Sequence, residues 1–140
     1  MPNVFKLKLI APDGVKYEEE ATEAILPTPG GQIAILPGHM PLISLLSPGE
    51  IIIKNGNKEH ALATEGGIVK IVSNLVKIIA DTAEDANSLD ELKITEAKKA
   101  AEQRIKEARD DVEFADASAA LEKQIAKLSI IAKRKKKYQR

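Results

Sequence analysis

Leu75-Val76-Lys77-Ile78-Ile79-Ala80-Asp81-Thr82-Ala83-Glu84-Asp85-Ala86-Asn87-Ser88-Leu89-Asp90-Glu91-Leu92 contains the change of texture that decides the fold. Its first six residues form a short apolar run rich in β-branched side chains, which is strand composition. From Ser88 the same stretch reads as the start of a helix. All seven prolines (Pro2, Pro12, Pro27, Pro29, Pro37, Pro41 and Pro48) and all eight glycines precede Ala86, and none follows it. Pro and Gly suit short strands joined by turns and interrupt helices. The sequence therefore predicts a β-domain over 1–86 and a helical hairpin over 87–140.

Working back from this junction, strand signals recur at short intervals. Gly67-Ile68-Val69-Lys70-Ile71-Val72 precedes Leu75–Ala80, and Val4–Ile10 approaches apolar/polar alternation before the turn Ala11-Pro12-Asp13-Gly14. Ile51-Ile52-Ile53 and Ala61-Leu62-Ala63 flank Lys54-Asn55-Gly56-Asn57, whose Asn-Gly suits a tight hairpin. Ala24-Ile25-Leu26 and Gln32-Ile33-Ala34-Ile35 are further candidates. Many short strands at regular spacing give an antiparallel sandwich or a flattened barrel. Gly30-Gly31 and Gly66-Gly67 read as turns or bulges, since neither opens a helix that could take a phosphate.

Working forward, Ser88-Leu89-Asp90-Glu91 has capping-box spacing. Leu89, Leu92, Ala97, Ala101, Ile105 and Ala108 then form one apolar stripe. Asp110-x-x-Glu113 has box spacing again, and Phe114, Ala117, Leu121, Ile125, Leu128 and Ala132 form a second stripe. Two amphipathic helices with a short polar break should fold back as an antiparallel hairpin. It buries little apolar area and is expected to be marginally stable by itself.

Composition narrows the chemistry. Only Phe5, Tyr17, Phe114 and Tyr138 are aromatic, so no platform for stacking nucleic-acid bases is present. Cysteine is absent, which removes disulfides, thiol nucleophiles and thiolate metal sites. His39 and His60 lie at no metal-ligand spacing, and no Walker loop, G-x-S-x-G or G-x-G-x-x-G occurs. An enzyme is the losing reading. No apolar run reaches the roughly 18 residues of a membrane span, and no signal or transit segment opens the chain, so a soluble, intracellular protein is expected.

The net charge of zero hides a strong polarity. Residues 1–87 hold seven Lys/Arg against eleven Asp/Glu, whereas the last twenty residues hold eight against one. That end includes Lys123, Lys127 and the run Lys133-Arg134-Lys135-Lys136-Lys137, either a solvated tail or a contact for an acidic partner. Leu36-Pro37-Gly38-His39-Met40-Pro41-Leu42-Ile43 is a stiff loop with apolar flanks, either a strand connection or a docking surface. A nucleic-acid or scaffold adaptor with a basic tail is the rival class, but it lacks base-reading aromatics.

These segments, in order, resemble the epsilon subunits of F-type ATP synthases. Gly30-Gly31-Gln32 with Ile35-Leu36-Pro37-Gly38-His39-Met40-Pro41-Leu42 is similar to that family's G-E-x-x-I-x-P-G-H-x-P-L. Glu65-Gly66-Gly67-Ile68, Ala80-Asp81-Thr82-Ala83-Glu84, Leu89-Asp90-Glu91-Leu92 and Phe114-Ala115-Asp116-Ala117 through Leu128 resemble its later segments. The resemblance implies a ten-stranded sandwich and a C-terminal hairpin in a non-catalytic rotor-stalk subunit of the proton-translocating enzyme. It implies docking to the gamma subunit and the c-ring through Gln32, Pro37, Gly38, His39, Met40 and Pro41. It also implies inhibition of ATP hydrolysis when the hairpin, with its basic residues Lys123, Lys127, Lys133 and Arg134, enters the alpha/beta catalytic hexamer. The expected location is peripheral, on the cytoplasmic side of a bacterial plasma membrane.

Two departures stand out. Gln32 occupies a position where the family usually carries Glu. Some relatives bind ATP through [IL]-D-x-x-R-A and arginines of the second helix. Here Glu84, Asp90, Lys93, Lys123 and Lys127 stand at those positions, with Ile94 replacing the Ala. No cofactor is expected beyond ATP as a weak regulatory ligand.

Overall fold

The computed structural model describes residues 3–138, with side chains to residue 136. Pro2 and the side chains of Lys137 and Tyr138 lie outside the described residues. Ten strands come first: β1 (Phe5–Ala11), β2 (Gly14–Ala21), β3 (Glu23–Thr28), β4 (Gly31–Ile35), β5 (Leu42–Leu46), β6 (Gly49–Asn55), β7 (Lys58–Thr64), β8 (Gly67–Val72), β9 (Leu75–Ala80) and β10 (Glu84–Asp85). A 3-10 turn (Ala86–Ser88) leads to α1 (Glu91–Glu107) and α2 (Asp111–Tyr138). The chain divides into two compact units, residues 1–85 and 86–140.

The strands form two five-stranded sheets, ordered β2-β1-β9-β8-β5 and β10-β7-β6-β3-β4. The two sheets stay separate, so the β-domain is a sandwich and not a flattened barrel. Every pairing is antiparallel except β1 with β9, which closes the middle of the first sheet. The inward sides carry the core. Phe5, Leu7 and Leu9 of β1, Val69 and Ile71 of β8, and Val76 and Ile78 of β9 face Leu26, Ile35, Ile51 and Ile53 of the second sheet. Aliphatic side chains fill the space because a period of two sends alternate residues to one face.

Turn chemistry sets the registers. Asn55 pairs with Lys58, so the two-residue loop is Gly56-Asn57, with Gly56 at φ +63°. The positive φ at the first central residue alone is that of a type II′ hairpin, one residue later than Asn-Gly would centre it. Val72 pairs with Leu75, and both intervening residues, Ser73 (φ 49°) and Asn74 (φ 62°), are left-handed. This is the two-residue pattern of type I′, made here without glycine.

In the hairpin unit, Asp90 and not Ser88 caps α1. Ser88 is drawn into the 3-10 turn, whereas Asp90 is extended and its carboxylate accepts from the Leu92 and Lys93 amides at 3.1 and 3.3 Å. The second box forms in part, its return bond going to the residue before the cap. Asp110 Oδ1 accepts from the Glu113 amide at 2.8 Å, and Glu113 reaches back to the Arg109 amide at 2.9 Å. The buried faces also differ from the expected stripes. α1 buries Ile94 and Ala101, with Leu92 70% exposed, and α2 buries Ala117 and Ile130, leaving Phe114 and Ile125 open. Glu91 and Lys135 meet at 2.6 Å, fixing the helices as antiparallel.

Candidate docking face

The loop from Leu36 to Pro41 joins β4 of one sheet to β5 of the other. Its bend is a type II turn: the His39 amide donates to the Leu36 carbonyl at 3.1 Å, with Pro37 first and Gly38 (φ +82°) second in the centre. A bond from the β8–β9 turn holds this bend, because the Gly38 amide donates to Asn74 Oδ1 at 2.9 Å. Asn74 Nδ2 in turn donates to the Val4 carbonyl at 2.7 Å, and the Asn74 carbonyl accepts from the Lys6 amide. One side chain thus pins the loop, the β8–β9 turn and the entry to β1. His39 Nδ1 donates to the Met40 carbonyl at 2.7 Å, and Met40 is 73% exposed.

The outer face of the first sheet carries an apolar row that crosses every strand, toward the end of the sheet away from this loop. Leu45 pairs with Ile68, Ile68 with Ile79, Ile79 with Ile10, and Ile10 with Val15. Leu45 is 62% exposed and Ile79 53%. Ile43 on β5, Val72 on β8 and Leu75 on β9 extend the patch toward the loop, with Ile43 70% exposed. Scattered exposed apolar residues need no explanation, but a contiguous row across five strands is the kind of surface that partners cover.

The sequence-derived site residues do not all come together. Pro37, Gly38, His39, Met40 and Pro41 share the loop. Gln32 lies at the other end of β4, opposite Pro27 beside the β3–β4 hairpin turn. Five residues of extended chain separate Gln32 from Pro37, about 16 Å at the usual strand rise. Gln32 and the loop residues therefore lie toward opposite ends of the sandwich. Sequence reading missed the apolar row; its signal lay in β8 and β9, where apolar residues occupy both parities of a sheet that has only one inward face.

The positions for ATP fall in both units. Glu84 pairs opposite Ala63 in the β-domain unit. Asp90 and Lys93 sit at the start of α1, where the Asp90 carboxylate already serves the helix cap. Counted along α2 from the Glu91–Lys135 contact, Lys127 and Lys123 lie about 12 and 18 Å away at 1.5 Å per residue. Lys133 and Arg134 occupy the final turns of α2. Among the described residues no group of three His, Asp or Glu side chains could hold a metal ion. His60 lies with its ring 5.9 Å from that of Tyr17, whose hydroxyl is held above its ordinary pKa by burial and then by the charge of Glu19.

Comparison with known proteins decides the family. The beta-sandwich domain of the ATP synthase delta/epsilon chain matches residues 4–86. The ATP synthase epsilon chain of Bacillus cytotoxicus is 33% identical over 90% of this chain and 95% of its own length. That of Acinetobacter baumannii is 40% identical over 88% of this chain and 89% of its own. The chain belongs to the ATP synthase epsilon-chain family. Epsilon chains are stalk subunits of the membrane-bound enzyme, and no helix described here is long and apolar enough to cross a membrane. The fold agrees with a chain of the Euglena gracilis mitochondrial ATP synthase OSCP/F1/c-ring assembly (TM-score 0.84, 21% identity, 94% of this chain and 83% of that one). A chain of the Tetrahymena thermophila mitochondrial ATP synthase central stalk and c-ring also matches (TM-score 0.53, 17% identity, 72% of this chain and 90% of that one).

Proposed function

We propose that this epsilon chain is a non-catalytic rotor subunit that docks to gamma through the outer face of its first sheet. The observation that carries this reading is the apolar row Leu45–Ile68–Ile79–Ile10, with Ile43, Val72 and Leu75 continuing the outer face toward the Asn74-pinned loop. Met40 and the loop prolines extend the same contact. Gln32, at the far end, is the candidate for the c-ring, where it supplies a hydrogen-bonding amide in place of a carboxylate. The bacterial relatives support a peripheral place on the cytoplasmic side of the plasma membrane. Ile79→Asp should weaken binding to purified gamma at least about tenfold, because a carboxylate must then be desolvated in an apolar contact. Unchanged affinity in a titration would remove the apolar row from the interface.

The hairpin is proposed as the inhibitory element acting on the alpha/beta hexamer, with Lys123, Lys127, Lys133 and Arg134 as its cationic side. Reversing Lys123, Lys127 and Arg134 to Glu should relieve inhibition of ATP hydrolysis several-fold, and added salt should weaken the wild-type effect, since exposed charges are screened over about 8 Å at physiological ionic strength. Equal inhibition by the triple variant would assign the effect to steric blocking.

ATP is proposed only as a weak ligand of this chain. Lysine replaces the bidentate arginine fork, Asp90 is engaged in capping, and Ile94 is buried in place of a small alanine. Isothermal titration should give a dissociation constant weaker than roughly 10 µM. A tighter value would show that the lysines suffice.

A further inference from the structure

Lysines are segregated within the β-domain. Residues 1–87 carry seven Lys/Arg, and four of them (Lys6, Lys8, Lys70 and Lys77) point outward from the first sheet, although this stretch is acidic overall. Three lie in one row: Lys70 is directly opposite Lys77, and Lys77 is opposite Lys8. Like charges so placed on neighbouring strands repel. Lys8 is relieved by Glu18 at 3.7 Å. Among the described residues neither Lys70 nor Lys77 has an acidic partner.

Their surroundings make this consequential. Ile43 faces Lys70 across β5, Ile68 and Val72 flank it along β8, and Leu75 and Ile79 flank Lys77 along β9. All five are exposed, so the two ammonium groups stand in the middle of an apolar patch. A partner that covers this patch must also cover the lysines, and a desolvated, unpaired charge is strongly unfavourable.

We propose that the docking surface of gamma presents carboxylates to Lys70 and Lys77, making this pair the determinant of register on the sheet. The inference rests on the docking reading above and adds the chemistry of the partner. Apolar contact gives affinity without fixing position, whereas a charge pair at its centre does fix it.

The test uses the full chain, purified gamma and titrations at about 50 and about 300 mM salt. The double variant Lys70→Met, Lys77→Met keeps the stems and removes both charges. It should lose about tenfold in affinity and most of the salt dependence, with unchanged stability to urea. Lys77→Glu should be rescued by reversal of one Asp or Glu of gamma. If the double-Met variant binds equally well with the same salt dependence while Ile79→Asp fails to bind, docking stands and the carboxylate inference is overturned. If both variants bind as wild type does, the docking reading falls, and this inference with it. Loss of binding to phosphatidylglycerol vesicles with gamma binding intact would reassign the lysines to a membrane and also overturn it.

Discussion

Gly67→Ala should cost about 3–5 kcal/mol, a large part of what holds a domain of this size together. A Cβ at this position would lie 2.2 Å from the Ile79 carbonyl oxygen and 2.9 Å from the Ala80 Cα. Both neighbours are backbone atoms of β9, so no rotamer change can relieve the clash. Gly67 also has φ +151°, which L side chains rarely adopt. The substitution must therefore move β8 away from β9 at the residue where their pairing begins, Gly67 opposite Ala80. Urea denaturation followed by circular dichroism measures the loss. Gly30→Ala is the control: its nearest neighbour is the Thr28 hydroxyl at 4.0 Å and its φ is ordinary, so stability should change little. A loss below about 1 kcal/mol for Gly67→Ala would mean that the strand entry yields more easily than its packing suggests.

Asn74→Ala should cost about 2–4 kcal/mol. Two hydrogen bonds, to the Gly38 amide and the Val4 carbonyl, contribute about 1 kcal/mol each. Alanine at φ 62° adds about 1 kcal/mol more, because asparagine tolerates the left-handed region better than alanine does. Asn74→Gly separates the contributions by keeping the left-handed backbone and removing only the bonds, so it should recover roughly 1 kcal/mol. The functional result is more telling. The Gly38 amide should exchange faster in both variants, because its acceptor is gone and the loop loses its tether to the β8–β9 turn. Unchanged Gly38 exchange would show that Pro37 and Pro41 alone hold the loop.

How much of this was legible differs from element to element. β1 was readable because inward and outward residues differ along it, β8 and β9 because they are short runs rich in β-branched residues, and the β6–β7 hairpin because a glycine stands at its turn. β2 escaped because Tyr17-Glu18-Glu19-Glu20 carries the acidic composition of a loop; it is an edge strand whose Glu18 and Glu20 lie opposite Lys8 and Lys6. β5 was absorbed into the proline loop, since Leu42 and Ile43 directly follow Pro41. The helices were predicted, but their facing sides were not. In an alanine-rich helix several phases give a plausible stripe, and tertiary packing chose Ile94 over Leu92. The docking face was hidden for a similar reason. Ile68 and Ile79 read as core residues until strand pairing places them on the outer side of the sheet.

The parallel pairing of β1 with β9 has a consequence for biosynthesis. Lys6 meets Leu75, so the N-terminal strand waits for a partner made roughly 70 residues later. During translation the β1–β2 hairpin can form early, yet Phe5, Leu7 and Leu9 remain without a core until β8 and β9 emerge. Loop closure over that distance delays folding, and the waiting strand exposes an unpaired edge to other chains. The hairpin helices are made last and depend on contacts close in sequence. The β-domain, although first off the ribosome, is therefore expected to set the rate at which the chain matures, and crowding of nascent chains should reduce its yield through β1.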